Sequence, residues 1–140
     1  MRLFTAVSAT ATVLTILTIL VALPAQAAEF TANLEAVATF DRRACPSLFT
    51  FKGTITAPSA GDVRYRFVRS DGATGPIVTL SFRTPGVHDV STTWQLGGAG
   101  LTSYEGWERI EIVAPVSAHS NRARFTMLCF DKSGPVPAAP

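Results

Sequence analysis

From residue 28 onwards, apolar and polar residues alternate along most of the chain with a period of two. Phe49, Phe51 and Ile55, for example, fall on one side of their stretch, whereas threonines and Lys52 fall on the other. This alternation is typical of half-buried β-strands, and no stretch sustains the period of an amphipathic helix. Clusters of Gly, Pro, Ser and Asp separate the stretches and indicate turns. The predicted strands are 29–40, 48–57, 62–69, 77–83, 87–96, 104–114 and 121–130.

Seven short strands with regularly spaced turns predict an all-β fold, a single antiparallel β-sandwich of the immunoglobulin type. A small closed barrel is the alternative. In the sandwich, the third, sixth and seventh strands are neighbours in one sheet. The segment 41–46 is predicted to be a break after the first strand, and 115–119 a turn before the last one.

The N-terminal segment 1–27 has the features of a signal peptide. Arg2 precedes the apolar run 3–23, and a proline follows before the small residues that end at Ala27. This order predicts a signal-peptide helix that is cleaved after Ala27, and hence a secreted protein that meets the membrane only in transit. The apolar run is also long enough to cross a bilayer, so a retained anchor is the alternative.

Cys45 and Cys129 are the two cysteines of the chain. Exported proteins meet an oxidising environment, so these cysteines are expected to form a disulfide. One lies just before the second strand and the other near the end of the last, so the bridge would staple the two sheets at one end. It would lie within one domain, 28–132, and the Pro/Ala tail 133–140 is expected to be disordered.

Several spaced motifs carry a resemblance to a known group of proteins. They are Cys45-Pro46-x-x-Phe49-x-Phe51-x-Gly53-x-Ile55, Tyr65-x-x-x-Arg69-Ser70-Asp71-Gly72, Val90-Ser91-x-x-Trp94-x-Leu96-Gly97-Gly98, Tyr104-x-Gly106-Trp107 and Phe125-x-x-x-Cys129. Together they resemble secreted actinobacterial immunoglobulin-like domains. The resemblance implies the fold and a bacterial source, but it brings no activity with it. Gly106 stands where antibody domains carry a cysteine, so no antibody-type bridge is expected.

Charge and composition argue against several functions. The chain has 12 Lys and Arg against 10 Asp and Glu, a net charge of +2, which does not favour a nucleic-acid-binding protein. Its two histidines are His88 and His119. Zinc needs three or four ligands, and His88 and the adjacent Asp89 should point to opposite faces of a strand, so no zinc site is expected there. Glu108 and Glu111 should point to opposite faces of one strand, so they do not form a glycosidase pair. No catalytic residue, metal site or cofactor is predicted.

One surface stands out as a candidate contact face. The outward positions of the third, sixth and seventh strands carry Arg64, Arg66, Trp107, Arg109, Glu111, Arg122 and Arg124. Arginine and tryptophan are enriched at interfaces, so this basic face is a candidate surface for an extracellular protein or an anionic cell-wall polymer. An ordinary solvated sheet surface is the alternative. The pair Arg42-Arg43 is interpreted as loop charge exposed to solvent.

The sequence therefore predicts a secreted, non-enzymatic binding module with an unknown ligand. A protease inhibitor is one alternative, with 70–76 or 97–103 as the inhibitory loop. A carbohydrate-binding or cell-wall-binding domain is the other, although Trp107 is its single good aromatic candidate.

Overall fold

Nine β-strands form in the part of the chain that the computed structural model describes, residues 29–98 and 100–130. They are β1 (Thr31–Ala36), β2 (Phe40–Ala44), β3 (Ser47–Ala57), β4 (Gly61–Arg69), β5 (Val78–Phe82), β6 (Gly86–Leu96), β7 (Ser103–Ala114), β8 (Ala118–His119) and β9 (Ala123–Phe130). Within this part, no helix is long and apolar enough to span a bilayer. The predicted signal peptide and Pro/Ala tail lie outside the described residues.

The strands form two sheets, which confirms the predicted all-β class. The small sheet has the order β1-β3-β6, and the large sheet has the order β2-β9-β7-β4-β5, with β8 paired to β7. All pairs are antiparallel except β2 with β9, which is parallel. Because β4, β7 and β9 are neighbours, the expected adjacency of the third, sixth and seventh predicted strands is also confirmed.

The first predicted strand is wrong in one respect, because the chain changes sheets within it. After β1 the backbone leaves the small sheet, and Phe40–Ala44 pairs with β9 in the large one. The prediction of a break at 41–46 is therefore wrong over most of its length. β2 is an edge strand that is held by backbone hydrogen bonds, and these bonds do not require alternating apolar and polar side chains. Its polar sequence therefore gives no signal for a strand. Likewise the predicted turn at 115–119 contains the two-residue strand β8.

The core lies between the sheets and is built around aromatic rings. Strand alternation sends Phe49, Phe51 and Trp94 inward from the small sheet, and Phe125 inward from the large one. The Phe125 ring centroid lies 4.3 Å from that of Phe49 and 5.3 Å from that of Trp94. Aliphatic residues such as Ile110 complete the core on both sides. Offset and edge-on aromatic contacts of this kind add to the burial of apolar area.

A disulfide between Cys45 and Cys129 links the two sheets at one end, as predicted. The Cα atoms are 5.3 Å apart, and the bridge joins the β2–β3 connection to β9. Gly97 packs directly against it, because a Cβ at this position would lie 2.6 Å from the Cys45 Sγ atom. The φ angle of Gly97, +91°, is also one that favours glycine. The bridge and its glycine thus fix this end of the sandwich.

A side-chain clamp joins the sheets away from the disulfide. The Asn121 carboxamide accepts a hydrogen bond from the Leu34 backbone N–H at 2.9 Å and donates one to the Leu34 carbonyl at 2.7 Å. Asn121 precedes β9, and Leu34 is the buried centre of β1. Ser120 supports the clamp, since its hydroxyl accepts from the Ile110 N–H and donates to the Asn121 carbonyl. These bonds satisfy backbone groups of β1 that the sheets leave unpaired.

Candidate functional site

The outer face of the large sheet brings the predicted contact residues together. We call six of them the arginine face: Arg64, Arg66, Trp107, Arg109, Arg122 and Arg124. Their strands are adjacent, and the register pairs Trp107 with Arg124 and Arg66 with Glu111. Arg64, Arg122 and Arg124 are exposed, and the other three are half-buried. These residues therefore lie together on the outer side of the large sheet, whereas their role as a partner face stays a prediction.

Trp107 is the centre of the arginine face. The guanidinium carbon of Arg122 lies 4.5 Å from the centroid of its ring, and that of Arg109 lies 5.6 Å away. Cation–π contacts of this kind order the arginine side chains and leave the exposed Arg122 guanidinium open to other partners, whereas the Nε atom of Arg109 is buried without a hydrogen-bond partner. The Trp107 backbone is also fixed, because its N–H donates to the Ser70 hydroxyl and its carbonyl accepts from the Ser70 N–H.

One arginine of the face has an acidic partner. The Nε–H of Arg66 donates to a carboxylate oxygen of Glu111, and this hydrogen bond lowers the Glu111 pKa below its usual value. Both side chains keep contact with solvent, so the pair contributes little to stability. The face therefore keeps a basic character around Trp107 and Arg124.

Strand β2 extends this surface in a way the sequence reasoning missed. Arg42 was interpreted as loop charge, but it lies on β2 with its guanidinium 4.2 Å from the centroid of the Phe130 ring. Phe40 and Phe130 are 53% and 46% exposed, and Leu128 lies between them on the outside of β9. The arginine face thus has an apolar margin, formed by Phe40, Leu128 and Phe130 with Arg42 among them.

A cleft of about 380 Å³ lies on the arginine face. Its lining includes Trp107, Arg124 and Glu105, with Ser70 and Thr126 beside them. Gly106 is also among the lining residues. A Cβ at this position would clash with the Tyr104 ring and approach the Ser70 hydroxyl to 2.8 Å. A side chain at position 106 would therefore require the Tyr104 ring and the Ser70 hydroxyl to move.

A second arrangement lies between the sheets at Glu108. Its side chain points inward from β7, opposite to that of Glu111, as the alternation predicts, and the residue is only 2% exposed. Its Oε2 atom has no hydrogen-bond partner. A cleft of about 330 Å³ opens beside it, which we call the Glu108 cleft. The lining residues are Phe67, Arg69, Ala73, Thr74, Gly75, Pro76, Thr92, Thr93 and Glu108.

The arginine opposite Glu108 on the neighbouring strand is already paired elsewhere. Arg69 stands directly across from Glu108 in the register of β4 and β7. Its Nη2 donates instead to Asp71 at 2.8 Å, and its guanidinium carbon lies 4.4 Å from the centroid of the Trp94 ring. Asp71 also accepts from the Ala73 N–H at 3.0 Å. The turn that follows β4 therefore holds Arg69 at the rim of the cleft.

Burial raises the pKa of Glu108 to about 7. The positive charge of Arg69 lowers this pKa in part, and the negative charge of Asp71 raises it further. Sequence reasoning placed Glu108 and Glu111 on opposite faces of their strand but did not identify Glu108 as a buried carboxyl. Its place in phase with the buried Ile110 and Ile112 was the available signal.

This pKa predicts that the folded protein loses stability as the pH rises from about 4.5 to about 7. Over that window the unfolded chain releases the Glu108 proton, whereas the folded protein retains it. Glu108→Gln has no proton to release, so the variant should be about as stable as the parent at pH 4.5 and more stable at pH 8. A pKa difference of this size corresponds to about 3 kcal/mol.

Urea unfolding of both proteins between pH 4.5 and 8.5 measures this difference. The matched control is Glu111→Gln, which removes a carboxylate from the outer side of the same strand. The Glu111 pKa is lowered, so this control should lose a little stability at pH 8, by less than about 1 kcal/mol. Parallel pH profiles for the parent and Glu108→Gln would contradict the assignment.

The remaining candidate residues are not brought together. His88 and His119 are both exposed on different sheets. Within the described ranges 29–98 and 100–130, no three His, Cys, Asp or Glu residues cluster so as to hold a metal ion. The candidate inhibitory loop at 70–76 folds back onto β4, where the Gly75 N–H donates to the Phe67 carbonyl at 2.8 Å.

Comparisons with known proteins add no relative to this description. The chain matches no protein-family model, and comparisons with curated proteins and with solved structures found no significant similarity.

Proposed function

We propose that the protein is a secreted, non-enzymatic binding module of the immunoglobulin-like type, and that the arginine face contacts an acidic surface of an extracellular protein. The strand order supports the fold assignment: β1-β3-β6 corresponds to strands A, B and E of such domains, and β9-β7-β4 to strands G, F and C. A relationship to the secreted actinobacterial domains is part of the same proposal.

The observation that carries the proposed function is the stacking of arginines around Trp107. Contact with the Trp107 ring holds the side chains of Arg109 and Arg122 in place. Less side-chain entropy is therefore lost when their guanidinium groups bind a carboxylate or phosphate. Guanidinium groups bind such anions through two parallel hydrogen bonds. A preordered group of this kind suits an anionic partner better than an uncharged one.

The apolar margin favours a protein over a polymer as that partner. Exposed Phe40, Leu128 and Phe130 adjoin the arginines, and aromatic anchors beside arginine are the usual composition of a protein interface. An anionic cell-wall polymer would use the arginines and leave this margin unused, which makes it the second candidate. The inhibitor and carbohydrate alternatives have no comparable support.

Charge removal on the arginine face should weaken binding without unfolding the protein. Arg124→Gln removes an exposed charge beside Trp107, so its melting temperature should change by only a few degrees, because exposed charges contribute under about 1 kcal/mol. A charge-assisted hydrogen bond contributes about 1.5–3 kcal/mol, so the affinity for an anionic partner should fall at least about tenfold. Added salt should weaken binding in the same way.

Capture on the immobilised protein tests this prediction, with proteins of the source culture medium in one arm and polyglutamate and polyphosphate in the other. Lys52→Gln is the matched control, since it removes one exposed cation from the outside of the small sheet. Leu128→Ala separates the two partner classes, because it should weaken protein capture alone. Equal capture by the parent and Arg124→Gln would overturn the proposed function.

A further inference from the structure

We infer that the Glu108 cleft is a binding site for a primary ammonium group, such as the end of a lysine side chain or a free alkylamine. This site lies between the sheets, on the opposite side of β7 from the arginine face. The inference goes beyond the proposed function and does not depend on it.

The first support is a buried carboxyl with an unused acceptor. Glu108 is 2% exposed, and its Oε2 atom has no partner among the described residues. A buried polar atom without a hydrogen bond is destabilising, so such atoms are rare in folded proteins. A ligand that donates a hydrogen bond in the cleft would remove this cost.

The second support is the local balance of charge. Arg69 and Asp71 form an ion pair at the rim, with Nη2–Oδ2 and Nε–Oδ1 distances of 2.8 and 3.3 Å, and together they are neutral. Ionised Glu108 then gives the cleft one net negative charge. A ligand with a single positive charge neutralises it, whereas an anionic ligand would add to a charge that is already unpaired.

The third support is the set of residues that line the cleft, which offers hydrogen-bond acceptors for the N–H donors of an ammonium group. An ammonium has three N–H donors, and the cleft is lined by Glu108 together with Thr74 and Thr92, residue types whose side-chain oxygens can accept hydrogen bonds. Phe67 provides an apolar wall for an alkyl chain. The volume of about 330 Å³ accommodates such a chain end. A guanidinium has five donors in a rigid plane and would leave several of them unpaired.

The other elements around Glu108 carry no competing charge. Arg69 from β4 and Asp71 from the following turn are the charged residues that act on it, whereas β6 lines the cleft with Thr92 and Thr93, and β9 presents Ala123 as the register partner of Glu108. Binding of an ammonium therefore requires the loss of the Glu108 proton. The affinity should depend on pH, with the change centred near 7.

Titration calorimetry of the purified protein with n-butylamine and n-butanol tests the inference. Butylamine is charged throughout and should bind with one-to-one saturation at pH 8, whereas butanol, which has the same size, should not bind detectably. At pH 5.5 only about 3% of Glu108 is ionised, so the affinity for butylamine should be about 30-fold lower. Acetylated butylamine, which lacks the charge, should resemble butanol.

Variants distinguish the site from non-specific binding. Glu108→Gln should lose at least about tenfold in affinity for butylamine at pH 8, and Thr92→Val, which is close in shape, should lose severalfold. Glu111→Gln should bind as the parent does. Thermal melts verify that each variant is folded. No saturable binding, equal binding of butanol, or unchanged affinity in Glu108→Gln would each overturn the inference, and none of these outcomes would affect the proposed role of the arginine face.

Discussion

Replacing Phe125 by alanine is expected to lower the free energy of unfolding by about 3–5 kcal/mol, because it opens a cavity where the two sheets meet. Phe125 is 3% exposed and lies at the centre of the aromatic core. Its ring centroid is within 6.1 Å of the ring centroids of Phe49, Phe51, Trp94 and Tyr104. The neighbouring strands are held by their own hydrogen bonds, so they are unable to collapse fully into the space.

Urea unfolding at constant pH measures this loss. The matched control is Leu128→Ala, which removes a large apolar side chain from the outer side of the same strand. Leu128 is 38% exposed, so its replacement should cost less than about 1 kcal/mol. Similar losses in the two variants would contradict the assignment of Phe125 to the buried side and Leu128 to the outer side of β9.

The double replacement Cys45→Ala/Cys129→Ala should lower the free energy of unfolding by about 4.5 kcal/mol. The bridge spans a sequence separation of 84 residues, and in the chain-entropy model closing so long a loop restricts the unfolded chain by about this amount. Many domains of this size have a total stability that is not much larger. The variant should therefore unfold at a much lower urea concentration than the parent.

Reduction of the parent protein provides the control, because it breaks the same bond without changing a residue. Reduced and alkylated parent should lose stability by a similar amount, and intact mass should show no alkylation before reduction. A double variant as stable as the parent, or a parent alkylated at both cysteines without reductant, would contradict the prediction.

Alternation predicted those strands whose two faces lie in different environments. In β3 the inner side is aromatic and the outer side is polar, so the sequence and the structure agree on nearly the same residues. β2 lies at the edge of the large sheet and pairs through its backbone, so its run of Asp41-Arg42-Arg43 resembles a loop. The parallel register between β2 and β9 depends on the whole fold and has no local signal.

The same limit applies to the candidate sites. Six residues of the arginine face followed from alternation and the predicted neighbours, whereas Arg42 required the position of β2. The Glu108 cleft depends on Arg69 pairing with Asp71 and not with Glu108, and the geometry of the turn after β4 decides this choice. A single sequence gives the side of the strand on which each of these groups lies, but not the partner that each one takes.

The pairing of β2 with β9 also limits when the large sheet can be completed. β2 begins at residue 40, but its partner β9 ends at residue 130. The first strand of the large sheet can therefore pair only after the last strand has been synthesised. Contacts between such distant segments slow folding, because the chain loses conformational entropy on closing the loop between them before the strand pairing stabilises it. A nascent chain shorter than 130 residues lacks part of this seam, so we expect the large sheet to be completed only after synthesis has passed β9.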